Sequence, residues 1–342
     1  MKTIREQYEE LEEKFLSPYA TLSKNSKGRL KKERKCPIRT EFQRDRDRII
    51  HSRAFRRLKH KTQVFISPEG DHYRTRLTHT LEVMQISRTI SRALRLNEDL
   101  TEAISLGHDL GHTPFGHLGE EILDKICQEY NLHFRHNEYS LTIVDFLERN
   151  GKGLNLTYEV RDGILKHSKG SRDLKDVEDR PSTLEGEVVR ISDRIAYLNH
   201  DIADSIRAGV IKGKDIPKKI INLLGKSQNE RINTMVIDVI KNSLNKPYIK
   251  MSKEIEEATD ELKNFLFEKV YLSKFTRGEY ENIEKKLRFL FEYYLKNLEE
   301  VPYFKFLKKK KNEIGKIKIV CYYIAGMTDR YASSLYDRLA NI

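Results

Sequence analysis

"SLGHDLGHTPFGHLGE", residues 105–120, holds three of the chain's eleven histidines, two acids and four glycines. A packing surface does not call for that mixture, because polar groups facing a core cost free energy unless they are paired or bound to something. The stretch follows "NEDLTEA", where Asn97 is a fitting N-cap with acids in the first helical turn. A helix beginning there puts Ile104 and His108 on its inner face, and Gly111 with Pro114 marks its end.

Working outward, two further helices carry polar groups on apolar faces. In "LTHTLEVMQISRTISRAL", His79, Val83, Ile86, Ile90 and Leu94 recur in steps of 4, 3, 4 and 4. In "STLEGEVVRISDRIAYLNHDIADSIRAG", Val189, Asp193, Ala196, His200 and Ala203 share one stripe. "IEKKLRFLFEYYLKNLEE" and "IKIVCYYIAGMTDRYASSLYDRLA" also read as amphipathic helices, and no convincing alternating strand is present. The expected fold class is all-α, a multi-helical core with a helical C-terminal extension. The expected organisation is an N-terminal helix and basic arm over 1–40, a catalytic core over 41–210 and a helical C-terminal region over 211–342. A polar loop is expected over 166–183. The C-terminal region would complete the pocket or an oligomer interface.

The chain has 342 residues, a formal charge of +12 and three scattered cysteines, Cys36, Cys127 and Cys321. No C-x-x-C occurs, so reduced thiols in a cytoplasm are expected rather than a disulfide or zinc-thiolate framework. The start "MKTIREQYEELEEKF" is charged where a signal peptide would need an apolar segment, so none is expected, and no apolar run approaches a membrane span. The positive charge suits polyanions, meaning nucleotides, nucleic acid or anionic membranes. It concentrates in "KNSKGRLKKERK" (24–35) and "FLKKKKNEIGKIK" (306–318), read here as a solvated arm and a solvated helix face.

His79, His108, Asp109 and Asp193 therefore lie at inner positions of three helices. Two imidazoles and two carboxylates without a thiolate suit a divalent ion such as Mn, Mg, Fe, Co, Ni or Zn. Such an ion acidifies bound water and polarises a phosphoryl group, with coordination positions left for both.

The ordered set "H…HD…D" resembles the HD-domain metal-dependent phosphohydrolases. The surrounding text is similar to one branch, the deoxyguanosinetriphosphate triphosphohydrolases and their bacterial relatives. The stretches that carry the likeness are "RDRDRIIHSRAFRRLKHKTQVF" (44–65), "RTRLTHTLEV" (74–83), "GHDLGHTPFGHLGE" (107–120), "PSTLEGEVVRISDRIAYLNHDIAD" (181–204) and "YIAGMTDRYA" (323–332). The resemblance implies cleavage of a dNTP to a deoxynucleoside and tripolyphosphate by water attack at the α-phosphorus. It makes His79, His108, Asp109 and Asp193 the metal ligands. It also places His117 and Glu120 beside the α-phosphate, with His117 as the acid for the departing 5′ oxygen and Glu120 orienting it. His112 and His136 would lie near the phosphates. Arg76 and Arg194, adjacent to ligands, would neutralise the triphosphate, since the chain lacks a G-x-x-x-x-G-K-[ST] loop. Tyr197 would meet phosphate and sugar, and Asp201 and Gln63 the 3′-hydroxyl.

Two positions depart from the family pattern. Tyr322 stands where an acid is expected and Glu187 where glutamine is expected, which bears on the base pocket or a subunit contact. By resemblance, a dNTP effector, single-stranded DNA and a homo-oligomeric partner are further expectations. The competing readings are another HD phosphohydrolase, a 5′-nucleotidase or cyclic-nucleotide phosphodiesterase, and a basic nucleic-acid-binding protein. Nucleic-acid binding would weaken steeply with salt and survive chelation.

Overall fold

Capping chemistry sets where the helices begin. Thr3, Thr40, Ser52, Asn97, Thr183 and Ser227 each accept a backbone N–H near a helix start. The structure is a computed structural model that describes residues 2–63, 74–168, 180–302, 304 and 315–340. Most of the polar 166–183 loop, most of the 306–318 lysine run and Val64–Phe65 of the "KTQVF" stretch lie outside the described residues.

In chain order the helices are α1 (Ile4–Phe15), α2 (Glu41–Ile50), α3 (Arg53–Arg57), α4 (Arg76–Ala93) and α5 (Glu98–Gly107). There follow α6 (Gly116–Gln128), α7 (His136–Thr142), α8 (Tyr158–Lys166), α9 (Leu184–Arg207) and α10 (Lys218–Leu224). The C-terminal part holds α11 (Gln228–Ser243), α12 (Lys253–Leu266), α13 (Lys274–Lys296), α14 (Lys316–Ala325) and α15 (Asp329–Ala340). Pairing between extended segments is limited, among the described residues, to two isolated bridges, Arg29 with Thr157 and Thr62 with Thr75. The fold is all-α. No helix among the described residues is long and apolar enough to cross a membrane.

The apolar stripes pack as their spacing requires. α4 lies against α5 and α9, α5 also against α2, and α8 against both α5 and α9. Val83, Ile86 and Ile90 of α4, Ile104 of α5, and Val189 and Ile195 of α9 belong to one buried core, all at most 2 % exposed. Each such side chain contributes about 1.5–3 kcal/mol by leaving water. The polar members of the same stripes are thereby forced into the interior between three helices.

The C-terminal helices close over this core. α13 packs on α6, α14 and α15, and α11 and α12 pack on α9. The segment expected as one amphipathic helix over 317–340 is two, broken at Gly326–Thr328. The reason is Asp329: its carboxylate accepts from the backbone N–H groups of Thr62 and Phe115, each at 2.9 Å, and from the Thr62 hydroxyl. Lys61, 2 % exposed, donates to the carbonyls of His112 and Ala325, binding the same three segments together.

The basic 24–35 stretch is not the solvated arm expected of it throughout. The Arg29 side chain is 5 % exposed and pairs with Asp45, which is fully buried, and with Glu41 at 2.6 Å. Asp45 also accepts from Thr157 N at 2.8 Å, and Arg29 donates to Asn155 O at 2.6 Å. Removing one partner leaves the other charge stranded in the interior. Arg29→Ala is therefore expected to lower stability by about 3–5 kcal/mol, measured by urea denaturation. A loss under about 1 kcal/mol would return this segment to the surface.

Candidate active site

Three helices converge on one point. His79 of α4 is 1 % exposed, His108 at the C-terminal cap of α5 is fully buried, and Asp109 beside it is 3 % exposed. Asp193 comes from the middle of α9. His79 Nε2 lies 3.1 Å from Asp193 Oδ1 and 3.4 Å from Asp109 Oδ2. His108 Nε2 lies 3.4 Å from Asp109 Oδ1 and 3.9 Å from Asp193 Oδ1.

The tautomers decide what this cluster can bind. His108 Nδ1 is 2.6 Å from Ser105 O, and a carbonyl only accepts, so Nδ1 carries the proton. Its Nε2 is then a lone pair, buried and without a hydrogen-bond partner among the described residues. His79 Nδ1 is 3.1 Å from His200 Nε2, and His200 Nδ1 binds the Glu82 carboxylate. With Glu82 accepting from His200, the chain of donors leaves the Nε2 lone pair of neutral His79 facing the two aspartates. Burial pushes His79 further toward the neutral form. Both aspartate pKa values are held down despite burial, and the permanent Arg76 cation, donating to Asp109, favours the charged form there. Lone pairs opposite carboxylates at 3.1–3.4 Å repel unless a cation lies between them. His79, His108 and Asp193 can offer one atom each, all within 4.8 Å of one another. The donor set fits a divalent ion of the imidazole- and carboxylate-binding kind.

Around Asp109 stands a ring of further groups. Arg76 donates to Asp109 Oδ2 at 3.0 Å, and His112 Nε2 lies 3.4 Å from Oδ1. The His112 ring stacks on His136, centroids 4.1 Å apart at 18°. Glu120 was expected to orient His117. Its carboxylate instead accepts from the backbone N and Nδ1 of His136, both at 2.8 Å. That bond outweighs the burial of both groups, raising the His136 pKa and pulling Glu120 down to about 2. His117 is exposed, its ring 5.5 Å from His112 and 6.4 Å from Tyr271. Desolvation by the surrounding walls and the Arg76 cation lower its pKa.

The remaining predicted residues are dispersed along α9 and the 61–63 segment. Arg194, expected at the phosphates, is 5 % exposed and tied to Asp260 of α12. Tyr197 is half-buried one turn past Asp193. Asp201, 1 % exposed, accepts from the Tyr271 hydroxyl, while its Oδ1 has no partner among the described residues. Gln63 Oε1 is likewise buried without one. Tyr322 stacks on Tyr139 of α7, centroids 4.9 Å apart, and Glu187 lies 3.9 Å from Arg180.

Sequence reading gave no role to His167, His200, Glu82 or Tyr271. His200 lay on the recognised stripe of Asp193, and that placement was its signal. His167 closes α8 next to a breaker-rich loop, and Tyr271 sits 70 residues from the Asp201 it binds, so neither had a local pattern.

Comparison with known proteins adds independent findings. Residues 76–198 match the HD domain model, a range that contains His79, His108, Asp109 and Asp193. Residues 249–338 match a phosphohydrolase-associated domain, a range that contains α12, α13, α14 and most of α15. A protein of Caldanaerobacter subterraneus subsp. tengcongensis named deoxyguanosinetriphosphate triphosphohydrolase-like protein is 59 % identical over 98 % of this chain and 95 % of its own. One of the same name from Desulfatibacillum aliphaticivorans is 49 % identical over 98 % of both chains.

The Asp201 carboxyl carries a testable cost. Burial, only partly offset by His200 and Tyr271, pushes its pKa up to about 6. The folded state thus holds this proton more tightly than the unfolded chain. Its contribution to stability is complete below the ordinary carboxylate pKa and is lost as pH rises through about 6. Asp201→Asn keeps an acceptor for Tyr271 and removes the charge. At pH 8 the variant should exceed the wild type by on the order of 2 kcal/mol in denaturant unfolding, with the gap closing by pH 4. An unchanged gap across that range would contradict a raised pKa.

Proposed function

The chain belongs to the deoxyguanosinetriphosphate triphosphohydrolase-like family of HD-domain proteins, and from that premise we propose that it hydrolyses a dGTP-like deoxynucleoside triphosphate to deoxynucleoside and tripolyphosphate. At the coarser level it is a metal-dependent phosphohydrolase. The observation that carries the finer reading is the facing of imidazole lone pairs and carboxylates across one point, with Arg76 and three histidines alongside.

In this reading His79, His108, Asp109 and Asp193 hold the divalent ion. When bound, that ion supplies Lewis acidity toward a phosphoryl oxygen and lowers the pKa of water. The rest falls to side chains. Arg76, already satisfied on one side by Asp109, offers its remaining N–H groups to phosphate oxygens; its Nε is buried without a partner among the described residues. His112 and His136, stacked as a pair, line the same wall. Arg194 joins them by exchanging Asp260 for a phosphate oxygen. Gln63 Oε1 and Asp201 Oδ1 are acceptors without a partner among the described residues, and either is suited to take the hydrogen of the 3′-hydroxyl. Tyr197 packs along the sugar and disfavours a 2′-hydroxyl.

Water attacks the α-phosphorus, the bond from that phosphorus to the 5′ oxygen breaks, and His117 gives that oxygen its proton. In the free protein His117 is held neutral. The negative charge of a bound triphosphate raises its proton affinity, so the acid forms when substrate arrives. Glu120 fixes His136 rather than His117, and its part in catalysis is to keep that wall in place.

Incubation with each dNTP and Mn or Mg, followed by phosphorus NMR, should show tripolyphosphate and unphosphorylated deoxynucleoside. Orthophosphate or a monophosphate as the first product would favour a different HD hydrolase. His117→Ala should lower kcat by about 10²–10⁴-fold with KM little changed, and near-normal turnover would refute the acid assignment.

A further inference from the structure

All three cysteines are free thiols, and two of them meet. Cys127, 3 % exposed, sits in the last turn of α6, and Cys321, 1 % exposed, sits within α14. Their sulfurs are 2.9 Å apart although 194 positions separate them in the chain. A buried cysteine on its own behaves as a small apolar residue, a role that needs no second thiol beside it. Here the two sulfurs are hydrogen-bond partners. The contact also makes them chemically unequal. The hydrogen bond from Cys321, with the Lys318 ammonium one turn earlier on α14, holds the Cys127 thiol below its ordinary value against burial and Asp124. The same bond, with burial, drives the Cys321 thiol well up. Cys127 is thus the readier thiolate, the form that reacts, and Cys321 stays a thiol beside it.

α6 carries His117 and Glu120, and the C-terminal region holds it at both ends. At its start Asp329 accepts from Phe115 N at 2.9 Å. In its last turn Cys127 meets Cys321. α14 is itself held by α7, where the Tyr139 hydroxyl donates to Tyr322 O. We propose that Cys127 and Cys321 form a modification site at which hydrogen peroxide makes a reversible disulfide, clamping α6 to α14. The Cys127 thiolate attacks one peroxide oxygen, the O–O bond breaks, and a sulfenic acid and hydroxide form. The Cys321 sulfur then attacks the sulfenic sulfur, the S–S bond forms, and the sulfenic oxygen leaves as water with the thiol proton. In sum, two thiols and one hydrogen peroxide give one disulfide and two waters, and both electrons lost by sulfur go to the peroxide. Burial selects the oxidant, because a small neutral peroxide reaches an interior sulfur more readily than a bulky charged disulfide does. The modification needs neither metal nor nucleotide, so it stands apart from the hydrolysis proposed above.

The test uses full-length Cys36→Ser protein, in which Cys127 and Cys321 are the cysteines that remain. The folded protein is treated with hydrogen peroxide, quenched with catalase, denatured with a maleimide present and run on a non-reducing gel. Trypsin digestion of the single-chain band should yield peptides 126–135 and 319–330 joined to each other. Both titratable thiols should be lost, and dithiothreitol should restore them. The oxidised protein should unfold at a higher temperature than the reduced one, because the cross-link restrains the unfolded chain. A further Cys321→Ala change should abolish the joined peptides and the thermal shift together. Two free thiols after peroxide, or sulfinic acid at Cys127 without joined peptides, would overturn the proposal and leave the pair as core packing. Cross-links found between chains instead of within one would overturn it too. Should the Cys321→Ala protein fail to fold, as judged by circular dichroism, the peptide map of its parent decides.

Discussion

Two buried imidazole lone pairs facing two ionised carboxylates form an arrangement that protein atoms alone cannot satisfy. The rest of the structure maintains it. Ser105 O fixes the ring of His108, and the His200–Glu82 pair fixes that of His79. Neither ring can turn its Nε2 away without breaking a buried hydrogen bond, a loss of about 1–3 kcal/mol. The apolar stripes of α4, α5 and α9 supply the energy that holds these groups together. The polar groups decide what else must be present.

Two of the four glycines of residues 105–120 serve the same end. A Cβ at Gly111 would overlap His136 O and Ser140 N, so glycine lets α7 press against the histidine–aspartate turn and bring His136 to Asp109. Gly116 has φ +59° and follows Phe115, itself left-handed at +63°; together they reverse the chain so that α6 starts beside the site. Phe115 N is held there by Asp329. A non-glycine residue in that conformation is a local strain, and such strain persists where the surroundings over-determine it. Here Asp329, Lys61 and the Thr62–Thr75 bridge do so.

Most of the architecture was legible because it is periodic. Steps of three and four placed α4, α5 and α9, and the polar residues that interrupted those stripes marked the metal set. What escaped the sequence was pairing across distance. Glu120 reads as a partner of His117 by spacing, but α7 delivers His136 to it first, at shorter range and with a backbone N–H as well. Arg194 reads as a phosphate ligand by adjacency to Asp193. One residue along a helix is a turn of about 100°, and in the free protein that turn ties it to Asp260. Arg29 reads as one more basic residue in a solvated run, and only the buried Asp45 distinguishes it.

The composition of the wall explains why histidines, and not lysines or arginines, crowd this centre. A permanent cation buried beside a metal ion would repel it. Arg76 avoids that by donating to Asp109 at 3.0 Å, so its charge is partly balanced before any ligand arrives. Neutral imidazoles do not repel the ion, and they can stack, as His112 does on His136. They can ligate through a lone pair or donate through an N–H. They also gain a proton when a polyanion approaches, so that positive charge appears only when there is negative charge to meet it. The formal charge of +12 over the whole chain favours the approach of anions from a distance.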